Sequence, residues 1–414
     1  MAAMADPQGT LGGEGGLLAL VVATSATACQ EQQIARVQES HSGHLRRPLI
    51  GEGKAPEHQL GHDDRVITFR EINDDAVAKF LDGGGVPLDK YKRAASRVPL
   101  PLKFDDAAQE INFHSLLALL SFGGAHEPEL LRLTGSNVDD AAKFGLIGSH
   151  LSRERLDATW MKNAHVGSVS EGFKIPVRED APSTIPGVTV DRPGALVSHA
   201  QALCSVLNET GEALLSQGYT DMAQFILHSA RSDPGVEGLV RSLSGALPGF
   251  QDTETVNGLD VLMLKNAQVL AGELSARMGK AVEDLRFDDS DKLTAVADAD
   301  VITALTTLGI LEPAKTATPT GAAETTADGA PREGGEIAET AVAARSADGR
   351  VGPAFKPKDT AELRAVAVQA CHRMAESLGE DYQPHELSLY LKRLSRRKEY
   401  KDVPRFLPRE SRAL

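Results

Sequence analysis

The sequence has few cysteines and aromatic side chains, and these shortages exclude two classes of protein. Cys29, Cys204 and Cys371 are too few and too scattered for a disulfide framework or a zinc knuckle. Aromatic residues make up only 4% of the 414 residues, with a single tryptophan, whereas proteins that stack many nucleic-acid bases usually carry more. We therefore expect neither a disulfide scaffold nor a broad base-stacking surface.

A basic surface and a long apolar run are also lacking. The chain has 44 Lys and Arg against 58 Asp and Glu, a net charge of −14, which argues against an extended phosphate-backbone footprint but allows a small anion in a local basic pocket. The apolar run at 16–23 is far shorter than the roughly 20 residues of a membrane span. It weakly resembles a signal-peptide core, but no Lys or Arg precedes it. These features predict a soluble, cytoplasmic protein without a membrane or direct nucleic-acid partner.

Composition divides the chain into segments. The first 63 residues are rich in Gly, Gln, His and small side chains without periodicity, and a later stretch is a mixture of Thr, Ala, Gly, Glu and Pro that cannot bury a core. The predicted segments are a poorly ordered leader at 1–63, a helical domain at 64–311, a low-complexity insertion at 312–357, and C-terminal helices at 358–414 that complete the same domain.

Apolar residues recur mostly at helical spacing, so the sequence predicts a mainly α fold. Predicted helices cover 112–122, 139–151, 153–163, 195–217, 222–229, 236–247, 259–278, 292–308 and 363–378, and a last one begins at Pro384. Asp359 is the expected cap before 363–378, with Glu362 at the reciprocal position. The proline-broken stretch 174–193 predicts a loop or a short extended excursion, and other strand signals are weak, at 65–69 and 187–190.

Standard catalytic signatures such as G-x-S-x-G, H-E-x-x-H, the P-loop and G-x-G-x-x-G are absent from the sequence. Three weaker patterns each have an ordinary structural explanation beside a functional one. The glycines after Asp82 could cradle a phosphate or form a plain turn, and a basic C-terminal run at 392–405 could bind nucleic acid or form a solvated helix face. A possible metal cluster, more simply a solvated polar stretch, consists of His58, His62, Asp63 and Asp64.

Two charged residues stand among apolar neighbours. Asp298 lies between Val296 and Val301, where a buried carboxylate beside a pocket could be reactive, although a helix cap or an ion pair is the commoner role. Lys265 interrupts an apolar helical pattern, so its ammonium either reaches the surface or meets an anion.

Several separate segments together resemble one family. They are Asn112-Phe113, 207–211, 247–252, 265–268, 293–298 with 305–311 behind it, 362–365 and Tyr390-Leu391. Their order and spacing, from about 102 to 392, resemble the queuosine salvage proteins, the queuosine 5'-phosphate N-glycosylase/hydrolase family. The block 293–311 is the most specific part of this resemblance.

The resemblance implies a single helical domain akin to helical DNA glycosylases. It also implies hydrolysis of queuosine 5'-phosphate to queuine and ribose 5-phosphate, with a small nucleotide as substrate and no metal or organic cofactor. Asp298 would be the catalytic carboxylate and Lys265 would hold the substrate phosphate or a neighbouring polar group. Asn112 and Phe113 would wall the base. Asp300 is included among the substrate-binding residues, whereas 208–210 would brace helices.

Some positions differ from the family pattern. An aromatic-rich family segment is replaced by 112–116, and a C-terminal motif that is usually acidic and tryptophan-bearing reads Ser388-Leu-Tyr-Leu-Lys392. Asp300 adds a carboxylate that would raise the pKa of Asp298 if both were buried. The alternative function is therefore a catalytically inactive helical binding or scaffold protein on the same fold.

Overall fold

The computed structural model describes residues 72–95, 102–184, 187, 189–256, 259–311, 354–355, 357–400, 403 and 407–408. All of them belong to the compact unit Phe69–Leu414. The predicted leader, the histidine–aspartate cluster at its end, the strand at 65–69 and nearly all of the predicted insertion lie outside the described residues.

The described chain is mainly α, as the sequence predicts. Its helices are α1 (Asp74–Asp82), α2 (Leu88–Ala95), α3 (Ala107–Leu119), α4 (Glu127–Thr134), α5 (Val138–Leu151), α6 (Ala158–Lys162), α7 (Val166–Phe173), α8 (Val197–Ser216), α9 (Met222–Ser232), α10 (Val236–Ala246), α11 (Lys265–Met278), α12 (Ala299–Thr307), α13 (Pro357–Leu378) and α14 (Pro384–Ser395). Within the described ranges, no helix combines the length and the apolar character that crossing a bilayer would require.

The strands are short and form pairs. The antiparallel pairs are β1 (Arg178–Pro182) with β2 (Thr189–Pro193) and β3 (Thr253–Val256) with β4 (Leu259–Leu262), and the parallel pair is β5 (Ala354–Phe355) with β6 (Leu407–Pro408). The β1–β2 hairpin occupies the proline-broken stretch, which confirms the predicted extended excursion there.

Short polar side chains start many helices, which is why the sequence predicts several helix positions well. In each case the side-chain oxygen accepts the backbone N–H three residues later, which satisfies a donor that has no partner within the helix. Residues with this role are Asn73, Asp106, Asn137, Asp157, Asp221 and Asp298. The predicted helices at 139–151, 195–217, 222–229 and 236–247 are confirmed to within a few residues by α5, α8, α9 and α10.

The predicted helix at 259–278 is wrong in its first six residues. This stretch forms β4 and a turn, and α11 begins only at Lys265. The backbone N–H groups of Met263 and Leu264 both donate to the carbonyl of Asp252, and Leu264 adopts a left-handed conformation with φ 48°. These two N–H groups therefore bond to a carbonyl outside the helix, and with Leu264 left-handed the helix cannot begin before Lys265. The apolar pattern nevertheless continues through this stretch, which is why the sequence predicts a longer helix.

The predicted helix at 292–308 is wrong for the stretch before Asp298. Within this range the α-helix is α12, which begins only at Ala299. Side chains from other helices take the backbone donors of this stretch: Thr294 N–H donates to Gln268 Oε1, and Val296 N–H donates to Ser388 Oγ. Asp298 is consequently the N-cap of α12 rather than a residue inside a helix.

Three further helix predictions differ at their boundaries. The helix predicted at 112–122 is α3, which begins five residues earlier, after the cap Asp106, and ends at Leu119. The predicted helix at 153–163 contains only α6, since Arg153 has φ 62° and Ala158 N–H donates to the carbonyl of Thr220. The helix predicted to begin after Asp359 begins at Pro357, so Asp359 lies in its first turn instead of capping it. Proline is well suited to the first helical position because it needs no N–H partner there.

Buried apolar side chains form two clusters. Cluster A combines α3 to α11 and includes Leu116, Leu207 and Leu270. Cluster B combines α1, α2 and α12 to α14 and includes Ile302 and Leu391. The helices on either side of the predicted insertion thus share cluster B.

Helices α6 and α8 pack closely in cluster A, and two residues of α8 make this possible. Asn208 Nδ2 donates to the carbonyls of Met161, Lys162 and Ala164 at the end of α6, at 3.0, 2.9 and 2.9 Å, which supports the bracing role expected for Asn208. A Cβ on Gly211 would lie 2.6 Å from the Ala158 carbonyl oxygen. Only glycine fits this contact without moving the backbone.

We predict that Gly211→Ala destabilises the protein by about 1–3 kcal/mol, because the added methyl overpacks the α6–α8 contact. The matched control is Gly148→Ala in α5, where nothing lies within 4 Å of an added Cβ. Removing an exposed helical glycine should stabilise by roughly 0.5–1 kcal/mol. Urea denaturation of both variants measures the difference, and equal stability of the two would contradict the packing argument.

Candidate active site

Charged side chains meet where the elements of cluster A and cluster B come together. Five carboxylates and four cations form this charge network: Asp139, Asp252, Glu254, Asp298, Asp300, Lys265, Arg364, Lys392 and Arg396. Asp139 and Lys265 come from α5 and α11 of cluster A. Asp298 and Lys392 come from α12 and α14 of cluster B. Residues far apart in the chain therefore build a single electrostatic unit.

Asp298 is buried, and both of its carboxylate oxygens are engaged. Oδ1 accepts the N–H of Val301 at 3.0 Å, and Oδ2 lies 2.8 Å from the ammonium of Lys392. Burial alone would raise the pKa of Asp298, but the positive charges of Lys392 and Lys265 outweigh it and hold the pKa below its ordinary value. Asp298 is therefore an ionised carboxylate at neutral pH.

Lys265 is the first residue of α11 and is also buried. Its backbone N–H donates to Asp252 Oδ2 at 3.1 Å, and its ammonium donates to the carbonyl oxygen of Ser121 at 2.9 Å. Burial lowers the pKa of Lys265 to about 8, against the opposing effect of Asp298. An ammonium has three donors. Within the described part of the chain it therefore has capacity for a ligand oxygen.

Arg364 of α13 contacts the segments that precede Lys265 and Asp298. Its guanidinium makes a two-pronged contact with Asp252, NH1 to Oδ1 at 2.7 Å and NH2 to Oδ2 at 2.6 Å. NH1 also donates to Glu254 Oε1 at 2.8 Å, and Nε donates to the carbonyl of Ala297 at 3.3 Å. Asp252 orders the start of α11, and Ala297 directly precedes Asp298. One buried side chain thus fixes the approach to Lys265 and to Asp298.

Asp139 joins the outer part of the network. Its Oδ2 lies 2.9 Å from Lys392 Nζ and 2.8 Å from Arg396 NH2, and its Oδ1 accepts the hydroxyl of Ser121 at 2.7 Å. Burial would raise the pKa of Asp139, but Lys392 and Arg396 hold it well below its ordinary value. The sequence analysis missed this residue because a carboxylate in the first turn of a helix is ordinary.

The pKa of Asp298 is lowered rather than raised, although Asp300 is buried beside it, so the expectation of a raised pKa is wrong. Asp300 Oδ2 accepts the Arg396 guanidinium at 2.8 Å from Nε, and its Oδ1 accepts the hydroxyl of Ser395 at 3.2 Å. Each of the two neighbouring carboxylates has its own cation, and the pKa of Asp298 is lowered instead.

Within the described part of the chain, the basic C-terminal run contains residues of two kinds. Lys392 and Arg396 pair with carboxylates of the charge network, whereas Arg393 and Arg397 lie at exposed positions, as expected of a solvated helix face. The spacing of four residues places Lys392, in the last turn of α14, and Arg396, directly after that helix, on the same side. The carboxylates that they meet lie about 90 to 250 residues away, so the sequence pattern could not reveal them.

The remaining predicted site residues lie in the packing of α3. Asn112 Oδ1 accepts the N–H of Ala223 at 2.7 Å, which joins α3 to the start of α9. Phe113 is fully buried in cluster A, with its ring centroid 5.5 Å from that of Phe104. The structure therefore places Asp298, Lys265 and Asp300 in one charge network. Asn112 and Phe113 instead contact neighbours in the packing of cluster A.

The glycine-rich segment considered as a phosphate cradle has an ordinary structural explanation. The glycines after Asp82 form a turn that ends α1, in which Gly84 has φ 70° and Gly83 N–H donates to the carbonyl of Lys79. In the ranges that the structure covers, no group of three or more His, Cys, Asp or Glu residues is arranged to hold a metal ion.

The fold and the charge network define a mainly helical protein with an ionised, buried carboxylate at the junction of two cores. Residues 188–320 match the family model described as queuosine salvage protein. The queuosine 5'-phosphate N-glycosylase/hydrolase of Sphaerobacter thermophilus is 36% identical over 107 residues, which cover 26% of this chain and 32% of that relative. The chain thus matches about a third of the relative's length. These findings confirm the resemblance to the queuosine salvage family, and the family match includes Lys265, Asp298 and Asp300.

We predict that Arg364→Met destabilises the protein by about 3–5 kcal/mol, because it leaves the buried carboxylate of Asp252 without its counter-ion. The matched control is Arg373→Met on the same helix, whose ion pair with Asp74 is exposed and should contribute no more than about 1 kcal/mol. Chemical denaturation measures both variants. A loss for Arg364→Met as small as that of the control would show that the buried pair does not hold the site together.

Proposed function

We propose that this protein hydrolyses the N-glycosidic bond of queuosine 5'-phosphate and releases queuine for tRNA queuosine salvage. The observation that carries the proposal is the buried, ionised carboxylate of Asp298 inside the segment that matches the queuosine salvage family. The relative from Sphaerobacter thermophilus bears the name of this activity, which supports the same substrate for this chain.

The chemistry fits a fixed carboxylate. Breaking an N-glycosidic bond builds positive charge on the ribose ring, as in other reactions that pass through oxocarbenium-like states. Asp298 would stabilise this charge or activate the attacking water. Its two oxygens are held by Val301 N–H and Lys392, so its orientation requires no rearrangement during the reaction.

The other predicted site residues would bind the substrate. Lys265, as a buried cation with donor capacity, would hold the phosphate or a neighbouring polar group. Asn112 and Phe113 remain predicted walls of the base, and α3, which carries them, leads directly to Ser121 beside Lys265. Asp300 would contribute through its contact with Arg396.

A second candidate is a catalytically inactive helical binding or scaffold protein. It is favoured by one observation: Asp298 makes a helix cap and an ion pair, the two ordinary roles of a carboxylate at such a position. Incubation of the purified protein with queuosine 5'-phosphate, with chromatography of free queuine, discriminates the two functions. An absence of queuine release under conditions in which an active relative works would favour the second candidate.

We predict that Asp298→Asn lowers turnover of queuosine 5'-phosphate on the order of 10²-fold or more, with a smaller effect on KM, since the charge acts mainly in the transition state. Asparagine is also a good N-cap, so α12 should still form. The control is Asp291→Asn, which removes an exposed carboxylate from the same acidic stretch. Equal turnover of the parent protein and Asp298→Asn would remove Asp298 from the mechanism, and a dead Asp300→Asn variant would move the assignment to Asp300.

We also predict that KM for queuosine 5'-phosphate rises as the pH increases through about 8, because Lys265 is cationic below its pKa of about 8 and neutral above it. Steady-state kinetics from about pH 6 to about pH 10 measure this rise in KM, the alkaline limb of the pH profile. Lys265→Arg should keep the cation and move the limb to higher pH, whereas the exposed control Lys280→Met should leave it in place. A limb that is the same in all three proteins would show that another group titrates.

A further inference from the structure

Lys392 lies where α14 meets α5 and the start of α12. Helix α14 buries Leu387 and Leu391 in cluster B, while Lys392 lies at the edge of this face, towards α5 and α12. Its ammonium lies 2.8 Å from Asp298 Oδ2 and 2.9 Å from Asp139 Oδ2. The same cation therefore bridges carboxylates from the two clusters.

The ammonium of Lys392 is held from both sides. Asp139 cannot easily turn away, because Ser121 Oγ and Arg396 hold its two oxygens. The Lys392 side chain is 23% exposed, compared with 59% for Lys92 in a surface ion pair. A lysine stem is flexible, and two fixed partners remove that freedom. The ion pair between Lys392 and Asp298 is consequently held in place by the surrounding contacts, unlike an exposed surface pair.

Other charged or titratable groups also face Asp298 or the residues beside it. They are Lys265 of α11, Arg364 and Cys371 of α13, Asp300 of α12 with its partner Arg396, and Asp139 of α5. Burial and the charge of Asp298 raise the pKa of the Cys371 thiol to about 12, so this group stays neutral. Arg364 contacts the carbonyl of Ala297, and Asp300 is paired with Arg396.

Lys265 and Lys392 are the two cations that act directly on the charge of Asp298. Lys265 loses its proton near pH 8. Burial alone would lower the pKa of Lys392, but Asp139 and Asp298 together raise it above its ordinary value. Lys392 therefore keeps its positive charge to higher pH than Lys265 does.

We propose that Lys392, clamped by Asp139, is a positioning residue that fixes the charge and the orientation of Asp298 Oδ2. This inference rests on the proposed function in one respect, namely that Asp298 is the reacting carboxylate. Lys392 acts through Asp298 and does not itself contact the substrate. Without the ammonium, the buried carboxylate would face the low-dielectric interior with one cation fewer and would take up a proton at higher pH.

Lys392→Met removes the ammonium and keeps an unbranched stem, Lys392→Arg restores a cation, and Arg393→Met is the control at the exposed neighbouring position. Lys392→Gln is a second neutral variant in case the methionine variant does not fold. Carbon-13 NMR of labelled aspartate follows the titration of Asp298, whose signal is identified by its loss in Asp298→Asn. The pH dependence of kcat for queuosine 5'-phosphate is measured on the same proteins.

The neutral variants should titrate Asp298 at higher pH, and the acid limb of kcat should move up by the same interval. At the midpoint of the parent's acid limb their rate should fall on the order of tenfold. Lys392→Arg should restore both readouts, and Arg393→Met should match the parent. An unchanged Asp298 titration in the neutral variants would overturn the inference, as would a faster reaction, which would make Lys392 an inhibitory contact. If the parent releases no queuine but the Asp298 titration still shifts, the proposed hydrolysis fails and the role of Lys392 in fixing the charge of Asp298 is supported.

Discussion

The geometry of the candidate active site depends on how the buried guanidinium of Arg364 is satisfied. A fully buried cation is tolerated only when its charge and its donors have partners, and here Asp252, Glu254 and the carbonyl of Ala297 supply them. These partners belong to the segments that lead into α11 and α12. One buried cation therefore contacts both of the segments that lead to Lys265 and Asp298.

The same constraint continues outward as an alternating series of charges, from Asp298 through Lys392, Asp139 and Arg396 to Asp300. Such buried pairs contribute little net stability compared with well-packed apolar side chains, because desolvation offsets much of the attraction. They do join α5, α12 and α14, and separating these helices would leave the charges without their present partners. The network thus connects the two clusters, and its cations hold the pKa of Asp298 below its ordinary value.

The segment that matches the queuosine salvage family contains only part of this network. Asp252, Lys265, Asp298 and Asp300 lie within 188–320, whereas Asp139, Arg364, Lys392 and Arg396 lie outside it. The carboxylates nearest the proposed chemistry are thus held by cations from elsewhere in the chain. A preorganised carboxylate of this kind can stabilise developing positive charge without reorganising at the moment of reaction.

The sequence by itself determined the mainly α fold, the positions of helices such as α5, α8, α9 and α10, and the choice of Lys265 and Asp298 as unusual charges. These features depend on local rules: apolar periodicity, side-chain caps and glycine stops act over a few residues. Only the tertiary structure decided that 259–264 is a strand and a turn, that the chain before Asp298 is not helical, and that Lys392 faces inward. In each case the deciding partner lies outside the local segment. The partners are the carbonyl of Asp252 for 263–264, Gln268 Oε1 for Thr294 and the carboxylate of Asp139 for Lys392. A local pattern carries no information about such partners, because they become neighbours only when the two clusters pack.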